Sequence, residues 1–234
     1  MRMPTEGVRP THTFCNHRNL VAVCQMGGCE VVVKRYKRPT LANCVIYTFF
    51  RKNKAQRAYE NAQRLLSEGI ATPEPIAYIV ERRHGFVHTC WFVSEYLPWQ
   101  TLGNLDKTLE DPQERTRLWE SYIRLVRDMH RRRMLLRDNN CGNYLVDPDQ
   151  PGRFALVDIN RLQFRHRLTK HDLVIFFQQT GLPLERIMGL LPLYDDFSPK
   201  WLDDFRRRFR RFQQWRSLKH DMKHWAKRVF LGKK

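Results

Sequence analysis

The sequence predicts an α+β, two-lobed fold, with a small antiparallel β-sheet lobe over residues 1–98 and a mainly helical lobe over residues 99–234. Three observations carry this expectation. Four β-runs bracket one amphipathic helix before Pro98, helical periodicity takes over after it, and a polar loop with short apolar flanks interrupts the helices near residue 140. At 234 residues, with 42% hydrophobic and 12% aromatic content, the chain can bury a sizeable core.

The first pair of β-runs is Asn19–Cys24 and Cys29–Tyr36, joined at Gln25-Met26-Gly27-Gly28 by a hairpin turn. From about Lys52 to Glu68 the residues Ala55, Ala58, Tyr59, Ala62, Leu65 and Leu66 share one helical face, and Gly69 is the stop. Pro73 and Pro75 force an extended path into two further strands, Ile76–Glu81 and Cys90–Tyr96, around the turn Arg82–Gly85. Strand, strand, helix, strand, strand is the element order of a kinase N-lobe. Beyond Pro98, Leu118, Tyr122, Leu125, Val126 and Met129 form an apolar stripe that ends in the basic cluster His130–Arg133. Tyr144–Val146 and Phe154–Val157 read as short strands about the turn Asp147–Gly152, and helical signals resume from Lys170 to the end.

The segment Leu136-Arg137-Asp138-Asn139-Asn140-Cys141-Gly142-Asn143 matches the kinase catalytic loop R-D-x-x-x-x-N, followed by an apolar strand. Fifteen residues after Asn143, a second apolar strand ends at Asp158. Phosphoryl transfer needs these residue types: a carboxylate to orient the acceptor hydroxyl and take its proton, and an amide with a second carboxylate to hold the metal that bridges the phosphates. Asp138 is therefore the candidate catalytic base, and Asn143 and Asp158 are the candidate metal ligands. Any one of them alone could merely shape a turn; their joint spacing between two strands is what carries the chemistry. Lys34, at the end of Val31-Val32-Val33, is the candidate ATP-binding lysine, similar to the V-A-I-K strand. Its expected partner is Glu60, although the apolar stripe puts Ala58 nearer the buried edge of that helix.

Several kinase features are missing. No G-x-G-x-x-G precedes the lysine strand, and the expected loop Phe14–Asn19 lacks glycine, so phosphate contacts there fall to side chains such as Arg18 or to a looser backbone turn. Leu136 stands where a histidine is usual, Ile159-Asn160 replaces Phe-Gly, and no A-P-E segment follows. The short length, R-D-x-x-x-G-N, D-x-x-R at Asp158–Arg161 and Gly69-Ile70-Ala71-Thr72-Pro73-Glu74-Pro75 together resemble the Kdo/heptose lipopolysaccharide kinases, from about Asn19 to about Thr180. The resemblance implies a protein-kinase-like fold, an ATP-binding N-lobe, ATP and Mg²⁺ as cofactors, and a Kdo or heptose hydroxyl of the lipid A-linked core oligosaccharide as acceptor. It also gives Asp172, in Lys170-His171-Asp172-Leu173, the role of bracing the catalytic loop backbone. Another hydroxyl or protein acceptor, or a pseudokinase or basic binding module, stays open as an alternative.

The formal net charge is +18, and Pro199–Lys234 holds 13 Lys and Arg against three Asp, a net +10 of that total. Such a field calls for an anionic partner. Leu202, Phe205, Phe209, Phe212, Trp215, Leu218, Met222, Trp225 and Val229 recur at three- and four-residue steps, so one face of this basic segment is apolar. It can lie on an anionic inner-membrane surface or pack on the helical lobe. The aromatics share their stripe with leucine and methionine, which argues against a nucleic-acid stacking platform. The polar N-terminus carries no signal-peptide-like apolar stretch and no run of eighteen apolar residues occurs, so the expected location is cytoplasmic, peripheral at the inner membrane. Six scattered cysteines, with no C-x-x-C, predict reduced thiols and no structural zinc. Oligomeric state is not encoded in any pattern of the chain.

Overall fold

The computed structural model describes residues 10–16 and 19–231. In chain order these form β1 (Pro10–Asn16), β2 (Leu20–Met26), β3 (Cys29–Arg35), α1 (Leu41–Val45) running into a π-turn at Ile46–Phe50, α2 (Lys54–Ser67), β4 (Pro75–Arg83) and β5 (Phe86–Glu95). There follow β6 (Gln100–Thr101), α3 (Leu102–Thr108), α4 (Pro112–Arg131), β7 (Met134–Leu136), β8 (Tyr144–Val146), β9 (Phe154–Leu156), β10 (Leu162–Phe164), α5 (Lys170–Gln178), α6 (Leu184–Tyr194) and α7 (Pro199–Leu231). Two compact units emerge. One takes the residues up to Leu105 together with Asn143–Leu162; the other takes Asp106–Gly142 and the residues from Gln163 onward.

The first unit is built on an antiparallel five-stranded sheet in the order β1-β2-β3-β5-β4. Gly27 and Gly28 close the β2–β3 hairpin with φ of +59° and +83°, a pair of left-handed conformations that only a Gly-Gly-type turn takes without strain. Ala22, Cys24, Val31, Val33, Trp91 and Val93 alternate onto one buried face of the sheet. Helix α2 opens on Asn53, whose side chain accepts from the Ala55 and Gln56 N–H groups, and buries Ala55, Ala58, Ala62 and Leu65. After Gly69, at φ +74°, the Ile70 N–H returns to the Leu65 carbonyl and stops the helix. A second small sheet, β6-β8-β9, is tied to the segment after α2 by Thr72 Oγ1 donating to the Leu156 carbonyl at 2.7 Å and by the Leu156 N–H donating to Ala71 at 2.9 Å.

The second unit is helical. Asp111 caps α4, Pro112 occupies its first turn, and Leu118, Trp119, Tyr122, Ile123, Val126 and Met129 are buried. A capping box between Thr169 and Asp172 starts α5. Helix α7 packs its first half on α5 and α6 through Phe205 and Phe209, both fully buried.

Two segments differ from the sequence expectation. Phe14–Asn16, expected in a loop, are the end of β1 and pair with β2, Asn16 opposite Leu20 and Cys15 opposite Val21. The strand from Pro10 to Phe14 is exposed, so no burial alternation announces it. The α1 and π-turn segment was assigned no element, and it leaves Leu41, Phe49 and Phe50 at the surface.

Candidate active site

In the sheet unit, Lys34 sits within β3 between Val21 of β2 and Phe92 of β5. The strand fixes its direction, and the side chain is only 13% exposed. Its ammonium donates to Asp158 Oδ1 at 2.5 Å and lies 5.4 Å from the Tyr36 ring centre. The same carboxylate oxygen accepts from Asn160 Nδ2 at 2.6 Å. Asp158 follows β9 with φ +55° and ψ +38°, a left-handed conformation that is uncommon outside glycine and asparagine. The turn behind it is held to α2 by Asn61 Nδ2 donating to the Ile159 carbonyl at 2.8 Å.

Asn143 enters the same unit through the β8–β9 pairing. Tyr144 faces Leu156 in that ladder, and the Val157 N–H donates to the Asn143 carbonyl at 2.9 Å. The fifteen-residue gap between Asn143 and Asp158 is thus folded back on itself by a short hairpin. The expected amide and carboxylate stand at one end of that ladder.

Glu60 takes a different course. Its carboxylate accepts from Lys52 Nζ at 2.7 Å and from Gln56 Nε2 at 3.2 Å, and does not reach Lys34. The burial of Ala58 and Ala62 turns the other side of α2 inward, which leaves Glu60 on its flank. Burial first, then Arg161, holds Lys54 below its ordinary range, and burial with Arg51 does the same for Arg57. Tyr36 is pushed well above the usual phenol range by burial and by the Asp158 carboxylate, so it stays neutral. Arg18 lies outside the described residues.

In the helical unit, Asp138 follows β7, whose Met134, Leu135 and Leu136 are all buried. Leu136 therefore fills a core position where a histidine is usual. The loop is anchored by Asn139, a fully buried residue that the motif leaves unspecified. Asn139 Oδ1 accepts from the Tyr122 hydroxyl at 2.9 Å, its Nδ2 donates to the Phe176 carbonyl at 2.9 Å, and its N–H donates to Gln179 Oε1 at 2.7 Å. A buried amide with its hydrogen-bonding capacity met from both α4 and α5 holds the neighbouring Asp138 backbone in one position. Sequence reasoning missed Asn139 and Gln179. The one available signal was the asparagine directly after Asp138.

Asp172 accepts from the Thr169 N–H and hydroxyl, bonds Arg165 at 2.8 Å and lies 3.9 Å from Arg137. Burial raises its carboxyl, but the Thr169 bonds and the two guanidinium groups prevail and hold it below the usual range. It reaches the catalytic loop through the Arg137 side chain, while Gln179 meets the Asn139 N–H.

A family model described as the lipopolysaccharide kinase (Kdo/WaaP) family matches residues 15–179. Among solved structures, WaaP in complex with acyl carrier protein aligns over 92% of this chain and 89% of that one, with a TM-score of 0.61 and 19% identity. At that identity the likeness is one of fold, which is kinase-like. In all, 1718 solved chains match, so the architecture by itself selects no substrate. No curated protein matches the chain. The family match spans more than half of the sequence and contains Lys34, Asp138, Asn143 and Asp158, so the chain belongs to the lipopolysaccharide kinase (Kdo/WaaP) family and is an ATP-using kinase of a sugar hydroxyl in the lipopolysaccharide core.

Proposed function

We propose that the chain transfers the γ-phosphoryl group of ATP to a Kdo or heptose hydroxyl of the inner core while that core is attached to lipid A. The observation that carries this reading is the ion pair between Lys34 and Asp158, with Asn143 folded beside Asp158 and Asp138 five residues earlier on a loop anchored by Asn139. In this reading Lys34 contacts the α- and β-phosphates, and Asp138 orients the acceptor hydroxyl and accepts its proton. The sheet unit holds the nucleotide and the helical unit receives the sugar.

The donors on the nucleotide side suit Mg²⁺. Asp158 and Asn143 offer hard oxygen atoms, and among the described residues no group of three or more His, Cys, Asp or Glu could hold a metal. A Mg²⁺ ion is commonly held by one or two protein oxygens, with phosphates and water completing its shell. When bound, it would neutralise the charge that develops on the transferring phosphates. With nucleotide bound, Lys34 would contact the phosphates and Asp158 would be one of the residues that hold the metal.

No helix of the described residues is long and apolar enough to cross a membrane. In this reading access to a lipid-linked acceptor falls to the basic, amphipathic α7, whose charge and exposed apolar residues suit an anionic leaflet, here the inner face of the inner membrane. The relative solved with acyl carrier protein raises the same partnership for this chain, which co-elution with that protein tests.

The deciding experiment incubates the protein with γ-labelled ATP, Mg²⁺ and Kdo-lipid A. Label is expected in the lipid. Label in the protein alone, or in neither, overturns the reading.

A further inference from the structure

The helical unit contains a cavity of about 580 Å³ in which catalytic-loop residues meet residues of α7 that no kinase motif specifies. It is lined by Asp138, Asn140 and Gln179 together with Trp215, Arg216 and Lys219 of α7. We infer that this cavity is the subsite for the acceptor, and that it takes an anionic sugar, with Trp215, Arg216 and Lys219 as its recognition residues. The inference rests on the sugar-kinase reading above and names the part of the molecule that reads the sugar.

The size is that of a small-molecule site, within the usual range of about 300–1,000 Å³. The chemistry of the walls is more selective. Trp215 is 53% exposed, an unusual position for an indole unless its face is used. The Lys219 ammonium stands 4.9 Å from the Trp215 ring centre, and Arg216 is steadied by one bond from its guanidinium to Gln178 Oε1 at 3.2 Å. A guanidinium has five N–H donors, so this bond leaves most of them for a ligand. Trp215, Arg216 and Lys219 lie within two helical turns at spacings of one, three and four, which puts them on one side of α7.

Asp138 lines the same cavity. A ligand that bridges the cavity must bring a hydroxyl to Asp138, a flat or apolar ring face to Trp215, and a negative group to Arg216 and Lys219. A sugar bearing a carboxylate or a phosphate meets all three requirements. A polynucleotide does not, because its repeating backbone charge would also meet the Asp138 carboxylate that lines the cavity. A serine or threonine side chain offers the hydroxyl alone.

The test measures acceptor and nucleotide dependence separately, with Kdo-lipid A and with its carboxyl-reduced form. In R216Q/K219Q the acceptor KM is expected to rise about tenfold or more, the loss for removing charge-assisted bonds, while the ATP KM moves less than about twofold. Trp215→Ala should raise the acceptor KM as well, and Trp215→Phe should restore most of it by returning a ring face. If the wild-type protein discriminates against the reduced form and the double variant does not, the bound anion is the sugar carboxylate. If both forms lose affinity equally in the double variant, the anion is a phosphate of lipid A. Either result supports the subsite. Transfer by the wild type with an unchanged acceptor KM in both variants overturns the subsite alone, and absence of transfer by the wild type overturns the sugar-kinase reading with it.

Discussion

Asp158 combines three costs that an ordinary turn residue avoids: a left-handed backbone, a carboxylate oxygen shared by Lys34 and Asn160, and partial burial. Strain of this kind persists where the surroundings impose it, and it clusters at functional sites. Asp158→Asn tolerates the left-handed backbone and removes only the charge. It is expected to abolish Mg²⁺-dependent ATP affinity, and a calorimetric titration with unchanged affinity would remove Asp158 from the metal site. Asp138 is positioned differently, because the bonds that hold its loop belong to Asn139. Asp138→Asn should therefore keep the wild-type melting temperature and lower turnover by about two to four orders of magnitude, the range for a lost acid–base group. Wild-type turnover would exclude it as the base. His130 gives a third residue-scale expectation. Burial pushes its imidazole down to about 3, with Asp172 only partly opposing, while Nδ1 lies 2.9 Å from the Tyr194 hydroxyl and the guanidinium groups of Arg127, Arg131, Arg133 and Arg165 border the adjoining cavity. The unfolded imidazole titrates near about 6.5. Between that value and about 3 only the unfolded chain takes up the proton, so this stability is full above about pH 6.5 and is lost as the pH falls. His130→Gln should flatten the fall in melting temperature between pH 7 and 4, and parallel pH profiles for the two proteins would overturn this account.

At the scale of elements, α7 is one helix with two halves. In the first, Trp201 stacks on Phe197 at 3.6 Å between ring centres, Phe205 and Phe209 are fully buried, and Lys170 bonds Asp204 at 2.6 Å. In the second, Trp215, Leu218, Met222 and Trp225 are each more than half exposed. The sequence offered packing and membrane contact as alternatives for one apolar stripe. The stripe is packed over its first half and exposed over its second, because the face drifts around a helix of 33 residues and α5 and α6 back only its beginning. Phe205→Ala or Phe209→Ala should destabilise the fold by about 3–5 kcal/mol in denaturant titration. Leu218, Met222 and Trp225 changed together to Ser should leave the denaturation midpoint unmoved; a large loss from the triple change would place these residues in a core. The same logic separates what was legible from what was not. Strands β2 to β5 and helices α2 and α4 were readable because burial imposes period 2 or 3.6 on their residues. Strand β1 and the α1 segment were not, since neither buries a face. The nearness of Asn143 to Asp158 follows from their spacing, as the β8–β9 hairpin converts a fixed number of residues into proximity. Glu60 bonds Lys52 and Gln56 because the rotation of its helix is set by Ala58 and Ala62, a rotation that the motif does not specify, and Asn139 was overlooked because its partners, Tyr122, Phe176 and Gln179, are remote in sequence.

For the molecule as a whole, the +18 charge and the exposed apolar half of α7 would act on an anionic leaflet by different physics. Coulomb attraction to an anionic leaflet contributes about 1 kcal/mol for each Lys or Arg near the surface and weakens as salt shortens the screening length. Apolar insertion is almost insensitive to salt. Four arginines of the packed half are poor levers for separating the two, since Arg206, Arg207, Arg208 and Arg210 already face Asp203, Asp204 or Glu185 at 3.0–3.9 Å. The informative comparison is between salt and the apolar stripe. On vesicles containing anionic phospholipid, co-sedimentation of the wild-type protein should fall as NaCl is raised from 50 to 500 mM and then level off above zero. The Leu218, Met222 and Trp225 triple-Ser variant should follow the same fall and continue to zero. Vesicles of uncharged lipid should retain only the salt-insensitive part with wild-type protein. Equal binding to charged and uncharged vesicles would sink the electrostatic half of this account. A residual that survives the triple substitution would move the inserting surface away from α7, with the exposed Leu41, Phe49 and Phe50 as the next apolar group to test.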